Sequence, residues 1–503
     1  MKKIVSLVLC VLLICTVFSG CGEEADSGKL VVCLDISEDY WLESYAAANP
    51  RDQAIEFFRS WIDRCRTAYG LDLSSSEIEI EVIPGPEKEP AERAAMLQRL
   101  RSAIMAGKGP DVFICSTLSG QGMAGQESTP MPGGRLFPFV ENTRESGLFL
   151  PLDDLFSHMV ITDVNDLIPQ VMEGGKNEKG EQVLIPLVFS VPGIVFPGAD
   201  APKCDFEGTS WNDVLKGDDP LLAEQSVWAV NFNGYNEEGI REGYHSTGLS
   251  YLFPKIADFK TGQLPFSEEE LLAMVKDSLT AYRQLQDRET QQKSKSTCYS
   301  LQQMAFGNFD VPEEEKYLFT FSPLRNLESG STALVSSYCA INANTKKKEK
   351  ALAVLDALLC KDYQLDGIIS GGGQKITTFY DYFGAKGMLM NRELGPRWNL
   401  YPELHFLPSE EDADWRQDLE ELSRDFQRIC EDINVVRFPS PLDSELDAMM
   451  MEIEDTMLTV YSPYNPDYII RDGQFIFESI SDEELERIVS EHYQTMQRLL
   501  DES

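Results

Sequence analysis

The chain has 503 residues and is strongly acidic, with 44 Lys and Arg side chains against 83 Asp and Glu and a formal net charge of −39 at pH 7. A charge of this sign repels phosphate backbones, so no nucleic acid is expected among the partners. Hydrophobic residues make up 43% of the chain, which is ordinary for a protein with a packed core. The length favours more than one lobe or domain.

The N-terminus has the pattern of an export signal. A short basic region, MKK, precedes an apolar run over residues 4–18 that is too short for a typical membrane span. Ser19 and Gly20 lead into Cys21, and the polar stretch GEEADSGK follows. This resembles the bacterial lipobox, which implies a signal peptide over 1–20, lipid on Cys21 and a tether over 21–29. The alternatives are a plain secretory signal cut nearby and an uncleaved anchor.

The first third of the chain alternates between strand and helix patterns. Apolar runs and helical spacing predict a strand at Lys29–Ile36, a helix over 52–69, a strand at Glu77–Pro84, a helix over 90–107 and a strand beginning at Asp111. This order is typical of an open sheet flanked by helices. The sequence therefore predicts an α/β fold.

The stretch IMAGKGPDVFI, residues 104–114, combines glycine with lysine, as phosphate-binding loops do. It lacks the GxxxxGK[ST] spacing of such a loop, and a strand follows it rather than a helix. Gly107 or Gly109 can adopt the left-handed conformation that ends a helix, and Pro110 prevents its continuation. The stretch is predicted to be a structural turn in which Asp111 leads the chain into the next strand.

The remaining elements are predicted in the same way. Their patterns indicate a turn and a proline-broken strand over 177–196, a helix at 209–215, helical stretches over 267–306, strands at 316–324 and 331–342, a helix at 346–360, and three helices near 413–432, 444–460 and 482–501.

No motif in the sequence marks a catalytic or metal centre. The four histidines are far apart without an HExxH pair, there is no G-x-S-x-G nucleophile turn, and no CxxC pair supports a zinc or redox site. The prediction is a protein that is not an enzyme, with no cofactor and no metal. Because carboxylates are abundant, a glycosidase pair stays open as an alternative.

Polar and aromatic residues near strand ends are the candidate ligand contacts. Ligands of open α/β sheets bind beyond the carboxyl ends of the strands. Flat aromatic rings can stack on sugar faces, and Asn, Asp and Ser can bond sugar hydroxyls. The alternative is that the aromatic residues belong to the core. The candidates are Asp35, Ser37, Tyr40 and Trp41 after the first strand, Ser116 and Thr117 after the third, and Trp228, Asn231 and Tyr235 in the segment SVWAVNFNGYN.

Behind the lipobox-like cysteine, the first strand and helix and seven further segments follow an order that resembles the extracellular solute-binding proteins of ABC importers, family 1. The seven segments are LQRLRSAIMAGKGPDVFI (97–114), LPLDDLF (150–156), GEQVLIPLVFS (180–190), TSWNDVL (209–215), MAFGNFD (304–310), KKKEKALAVLDALLCKDYQ (346–364) and SISDEELERIVSEHYQTMQRLLDE (479–502).

This resemblance implies a two-lobed, periplasmic-binding-protein-like fold with a hinge and an interlobe cleft. It divides the chain into a first lobe over 30–150, a second lobe over 151–325, a return to the first lobe through the hinge over 326–390, and C-terminal helical segments over 391–503 that pack mainly on the second lobe.

The resemblance also implies a function. A monomer held on the extracellular face of the bacterial cell membrane by its lipid alone would capture a carbohydrate or oligosaccharide by lobe closure and deliver it to ABC permease subunits. The alternatives are a lipoprotein that binds a peptide or another polar solute, delivery to a sensor kinase, a surface polysaccharide hydrolase, and a structural lipoprotein.

Overall fold

The computed structural model describes residues 28–35, 50–84, 90–117, 134–197, 249–289, 297–300, 319–323, 326–328, 330–361, 388–392, 424, 427–459 and 480–503. Several predictions lie outside these ranges: Cys21, Ser37, Tyr40, Trp41, Trp228, Asn231, Tyr235 and the helix at 209–215.

The strands are β1 (Leu30–Asp35), β2 (Ile78–Ile83), β3 (Val112–Ser116), β4 (Leu184–Ser190), β5 (Pro192–Pro197), β6 (Thr297–Ser300), β7 (Phe319–Pro323), β8 (Ser331–Ile341), β9 (Met388–Leu389) and β10 (Ile433–Arg437). The helices are α1 (Pro50–Tyr69), α2 (Pro90–Met105), α3 (Val140–Glu145), α4 (Pro169–Met172), α5 (Leu249–Leu252), α6 (Glu268–Glu289), α7 (Lys348–Leu359), α8 (Pro441–Thr459) and α9 (Asp482–Asp501). None of the helices in the described ranges is long and apolar enough to cross a membrane.

The larger sheet has the strand order β2-β1-β3-β8-β4-β9, and β10 also pairs with β8. The first three strands are parallel, with α1 and α2 as their crossover connections. β8 runs antiparallel to β3 and β4 and parallel to β10. The predicted α/β class is confirmed.

The eleven residues of β8 are all buried, as expected for a strand covered on both faces. One part of β8, Ser337–Ile341, pairs with β3, and another, Ser331–Leu334, pairs with β10. A smaller antiparallel sheet has the order β6-β5-β7. β4 continues into β5 after Val191, at the break that Pro192 predicts, so this segment links the two sheets.

Buried apolar side chains form two clusters, as a two-lobed fold requires. The first surrounds the larger sheet with α1, α2 and α7. The second joins α5, α6, α8 and α9. Leu152–Val191 contributes its buried side chains to the first cluster, because β4 pairs with β8 inside the larger sheet. The lobe boundary at 150/151 stays a prediction.

The glycine-rich turn after α2 is built as predicted. Gly107 and Gly109 both have positive φ, +71° and +108°, and the Lys108 N–H donates to the Ala103 carbonyl at 2.9 Å. Asp111 accepts a hydrogen bond from the Val31 N–H at 2.9 Å. The turn therefore ends the helix and attaches the start of β3 to β1.

Two predictions of local structure are wrong. The helical stretch expected over 267–306 ends at Glu289, and Thr297–Ser300 is strand β6, paired with β5. The second error is the omission of β10. Residues 427–432 are helical as predicted, but Ile433–Arg437 then pairs with β8.

Candidate functional site

Two strand ends meet on the same stretch of β8. Ser116, the last residue of β3, pairs with Ser337, and Arg437, the last residue of β10, pairs with Leu334. Both strands run toward Val335 and Ser336, which lie between these pairing positions. The chain leaving β10 enters α8 and the second hydrophobic cluster. The junction of the two strand ends therefore lies where the two clusters meet.

The predicted contacts Ser116 and Thr117 lie at this junction, and both are buried. The Ser116 hydroxyl donates to the Ser336 carbonyl at 3.3 Å. The Thr117 hydroxyl donates to the Val335 carbonyl, and its N–H donates to the Ser336 carbonyl at 2.9 Å. Their donor hydrogens therefore bond the β8 backbone, which attaches the end of β3 to the middle of β8. Their role in ligand binding stays a prediction.

Asp35, the third predicted contact in the described ranges, is buried in an ion pair. One carboxylate oxygen lies 2.7 Å from a guanidinium nitrogen of Arg93, and the other accepts the Leu136 N–H at 2.9 Å. Arg93 also donates to the carbonyls of Pro84 at 2.8 Å and Gly134 at 2.9 Å. These bonds tie β1, the end of β2, α2 and the segment before α3 together. Asp35 therefore organises this wall of the site, and its contact with a ligand stays a prediction.

Arg135 was missed by the sequence analysis and is half-buried at the same junction. One of its guanidinium nitrogens lies 3.4 Å from the Ser116 carbonyl oxygen. Desolvation by the surrounding protein lowers the pKa of Arg135 to about 10, against the opposing influence of Asp35 and Tyr338. Its chain neighbours Leu136 and Phe137 pack in the first cluster. The one local signal is its position after two glycines, in GGRLF.

The opposite wall is a second buried ion pair, between Arg437 and Asp443. Arg437 also donates to the carbonyls of Ser250 and Phe253, which attaches the end of β10 to the helices of the second cluster. Asp443 accepts hydrogen bonds from the Ser440 N–H at 2.8 Å and the Ser440 hydroxyl at 2.7 Å. These bonds fix the first turn of α8, which begins at Pro441.

Glu141 on α3 is a half-buried carboxylate in the same region. Burial raises its pKa, and the nearby Arg437 and Arg144 oppose the rise, as does a backbone hydrogen bond from Phe438. The adjacent Phe139 packs in the second cluster, whereas Val140 packs in the first. The segment before α3 is therefore another crossing between the clusters.

The site thus offers hydroxyl and carbonyl oxygens, a carboxylate and an arginine around one junction, which suits a polar solute. Among the described residues, no group of three or more His, Cys, Asp or Glu side chains is placed to hold a metal ion. The cysteines that the structure describes there, Cys115 and Cys339, are buried, and desolvation raises the pKa of both thiols. A raised thiol pKa disfavours the nucleophilic thiolate.

No protein-family model matches the sequence, and no curated protein matches it. Solved structures do match. An extracellular solute-binding protein of family 1 from Alicyclobacillus acidocaldarius is 11% identical, with coverage of 94% of this chain and 100% of that one and a TM-score of 0.49. The sugar-binding protein MalE from Xanthomonas citri is 11% identical, with 94% and 98% coverage and a TM-score of 0.47.

A third match is UgpB from Mycobacterium tuberculosis in complex with glycerophosphocholine. It is 14% identical, with coverage of 95% of this chain and 99% of that one and a TM-score of 0.44. At these identities and TM-scores, the likeness by itself assigns no ligand to this chain.

Proposed function

We propose that the chain is the substrate-binding protein of an ABC importer. It captures an extracellular carbohydrate or oligosaccharide between two lobes and delivers it to permease subunits. The observation that carries the proposal is the convergence of β3 and β10 on β8. This convergence places Ser116, Thr117 and Arg135 where the first hydrophobic cluster meets the second. The ordered family motifs in the sequence support the same function.

Two chain crossings between the two clusters support a hinge at this junction. They are the segment before α3 and the passage from β10 into α8. Movement of two packed bodies about a few connecting segments is the usual basis of domain closure around a ligand. A ligand that contacts both walls shifts the population toward the closed form.

The proposed location is the extracellular face of the bacterial membrane, with lipid on Cys21 as the anchor. The apolar run before Ser19-Gly20-Cys21 supports this proposal. Expression of the wild type and of Cys21→Ala in a bacterium fed a clickable fatty acid tests it. Labelled wild type in the membrane fraction and unlabelled Cys21→Ala are expected. An unlabelled wild type in the culture medium would instead indicate a plain secretory signal.

A thermal-shift screen tests the binding function with neutral sugars, acidic sugars, peptides, polyamines and phosphate compounds. At least one sugar is expected to raise the melting temperature, because a ligand that binds only the folded state stabilises it. Small-angle scattering with that sugar should show a smaller radius of gyration. A rise with peptides alone would overturn the carbohydrate assignment, and hydrolysis of a glycan would indicate the enzymatic alternative.

Alanine variants of the predicted contacts refine the site. Ser116→Ala and Thr117→Ala with unchanged sugar affinity would leave these residues with a purely structural role. Alanine variants of Ser37, Tyr40, Trp41, Trp228, Asn231 and Tyr235 test the predictions that lie beyond the described residues. Loss of sugar binding with an unchanged melting temperature of the free protein identifies a direct contact.

A further inference from the structure

Among the residues that the structure describes, the junction between the clusters holds more positive charge than its carboxylates neutralise. Asp35 and Asp443 both lie close enough to Arg135 to influence its pKa. However, Asp35 is bonded to Arg93 and Leu136. Asp443 is bonded to Arg437 and Ser440. Each of the two carboxylates is therefore already matched by an arginine of its own.

Glu141 does not supply the missing partner. The charges that favour its ionised form are those of Arg437 and Arg144, and a backbone hydrogen bond from Phe438 also favours it. Among the described residues, Arg135 makes no ion pair, and its side-chain hydrogen bond there is the 3.4 Å contact with the Ser116 carbonyl. A second arginine, Arg101, donates to the Leu136 carbonyl at 3.2 Å and to the Arg135 carbonyl.

An arginine that is desolvated without a counter-charge weakens the folded protein, whereas a bound anion turns the same charge into binding energy. The planar guanidinium matches a carboxylate or a phosphate with two parallel hydrogen bonds. The overall charge of −39 repels anionic solutes. An anionic solute therefore requires a local cation where it binds, and Arg135 occupies that place.

We propose that Arg135 binds an anionic group, a carboxylate or a phosphate, on the solute that enters the junction. The inference rests on the proposed binding function and narrows its substrate class to acidic sugars: uronates, oligosaccharides that contain them, or sugar phosphates. The acidic group makes its ion pair with Arg135, and the sugar hydroxyls are left to the hydroxyl and carbonyl oxygens at the ends of β3 and β10.

Matched pairs of sugars that differ in charge test this proposal by titration calorimetry. The pairs are galactose with galacturonate, galactotriose with trigalacturonate, and glucose with glucose 6-phosphate. At least one acidic member is expected to bind the wild type more tightly than its neutral partner. Arg135→Gln should weaken the binding of that acidic sugar by roughly 10- to 100-fold, the effect of losing a charge-assisted hydrogen bond. Arg135→Lys should retain part of the affinity.

The control variant is Arg99→Gln, because Arg99 lies on the exposed side of α2 with its side chain 56% exposed. It should leave every affinity unchanged. If Arg135→Gln does not fold, the salt dependence of wild-type binding replaces it: affinity for the acidic member alone should fall between 20 and 500 mM NaCl, by roughly threefold or more.

The outcomes separate this inference from the function on which it rests. Neutral sugars that bind as tightly as the acidic ones, with no effect of Arg135→Gln, overturn the inference and leave the carbohydrate function standing. No binding of any sugar, neutral or acidic, overturns both. Binding of glucose 6-phosphate without the uronates assigns the anion as a phosphate, and the reverse assigns it as a carboxylate.

Discussion

A single ion pair, Asp35 with Arg93, shows why a polar residue at a strand end is an ambiguous sign of function. The carboxylate lies at the end of β1, where ligands of open sheets bind. However, both of its oxygens are engaged by the protein itself. Its partner comes from α2, 58 positions along the chain, and nothing local in the sequence connects the two residues.

Removing one partner of the Asp35–Arg93 ion pair should destabilise the folded protein strongly. The Arg93 side chain is fully buried. Arg93→Met leaves an unpaired carboxylate and two carbonyls without their donor, so the free energy of unfolding should fall by about 3–5 kcal/mol. Urea denaturation measures the loss, and the double variant with Asp35→Asn should recover part of it. Arg99→Met, on the exposed side of the same helix, should change stability by less than about 0.5 kcal/mol.

The candidate site could be predicted only where it adjoins a regular strand. Apolar runs mark the ends of β1 and β3, so Asp35, Ser116 and Thr117 were all identified from the sequence. Arg135 was not, because it lies between two elements in a stretch without a helix or strand period. Arg135 stands out because the two nearby carboxylates, those of Asp35 and Asp443, already pair with other arginines. These residues are distant in sequence, so only the folded chain shows their pairing.

Helices and strands with a strong local hydrophobic period were predicted well, whereas strands that form only by pairing with a distant strand were not. The helices α1, α2, α7 and α9 and the strand β8 lie within about two residues of their predicted bounds. In contrast, β10 has only five residues and directly follows a helical stretch. Its strand conformation depends on the free edge of β8 beyond the end of β3, which no local pattern encodes.

Close approach between elements makes Gly175 a sensitive position. It lies in a short 3₁₀ turn, and a Cβ atom there would lie 2.1 Å from the Leu184 carbonyl oxygen and 2.2 Å from the Gln182 amide nitrogen. Because Leu184 begins β4, Gly175→Ala must displace the backbone of a buried strand. We expect a loss of about 2–3 kcal/mol in the free energy of unfolding, measured in urea.

Gly180→Ala provides the matched comparison. A Cβ atom at Gly180 meets nothing within 4 Å, but the residue has φ of +79°. Backbone strain alone should therefore cost about 1 kcal/mol. If the two variants lose the same stability, the strand has shifted to admit the methyl group, and the close packing of the turn against β4 is not a constraint.

The two C-terminal helices are joined by a histidine between two carboxylates. His492 on α9 lies 2.7 Å from a carboxylate oxygen of Glu445 and 3.0 Å from one of Glu452, both on α8. A neutral imidazole has one N–H, so only the protonated ring can donate both hydrogen bonds. Arg487 also pairs with Glu452, at 3.0 Å. Burial opposes the charge on His492, but the two glutamates outweigh it and raise its pKa above 6.5.

This arrangement gives helix docking a pH dependence. The pKa of His492 is higher in the folded protein than the value of 6.5 for the unfolded chain. Its ion pairs therefore stabilise the fold fully below pH 6.5, and this stabilisation is lost as the pH rises through the pKa of the folded protein. The wild type should therefore exceed His492→Gln by about 1–2 kcal/mol near pH 6, with a smaller difference near pH 9.

Thermal unfolding of both proteins across this pH range measures the difference. The control is His158→Gln, since His158 pairs with Glu349 through a side chain that is 51% exposed. Its effect should stay below about 0.5 kcal/mol at every pH. A difference for His492→Gln that grows from pH 6 to pH 9 would contradict the assignment of a protonated ring.

At the scale of the whole molecule, the large negative net charge opposes the packing of the two hydrophobic clusters. The chain folds around two hydrophobic clusters while carrying an excess of 39 negative charges. Four charged residues of the described ranges are almost wholly buried: Asp35, Arg93, Asp356 and Arg437. Asp35, Arg93 and Arg437 lie around the junction of the clusters, and Asp356 lies on α7. Mutual repulsion within so large an excess of negative charge favours expansion of the chain.

Salt should therefore stabilise the folded protein near neutral pH. Raising NaCl from 10 to 150 mM shortens the screening length from about 30 Å to about 8 Å, which weakens repulsion between surface carboxylates more than it weakens the buried ion pairs. We expect the melting temperature at pH 7 to rise by several degrees.

The control is the same salt titration near pH 4.4, the isoelectric point of the sequence, where the net charge vanishes and the rise in melting temperature should disappear. An equal rise at both pH values would indicate a general salting-out effect, and no rise at pH 7 would show that the unfolded chain is repelled as strongly as the folded one.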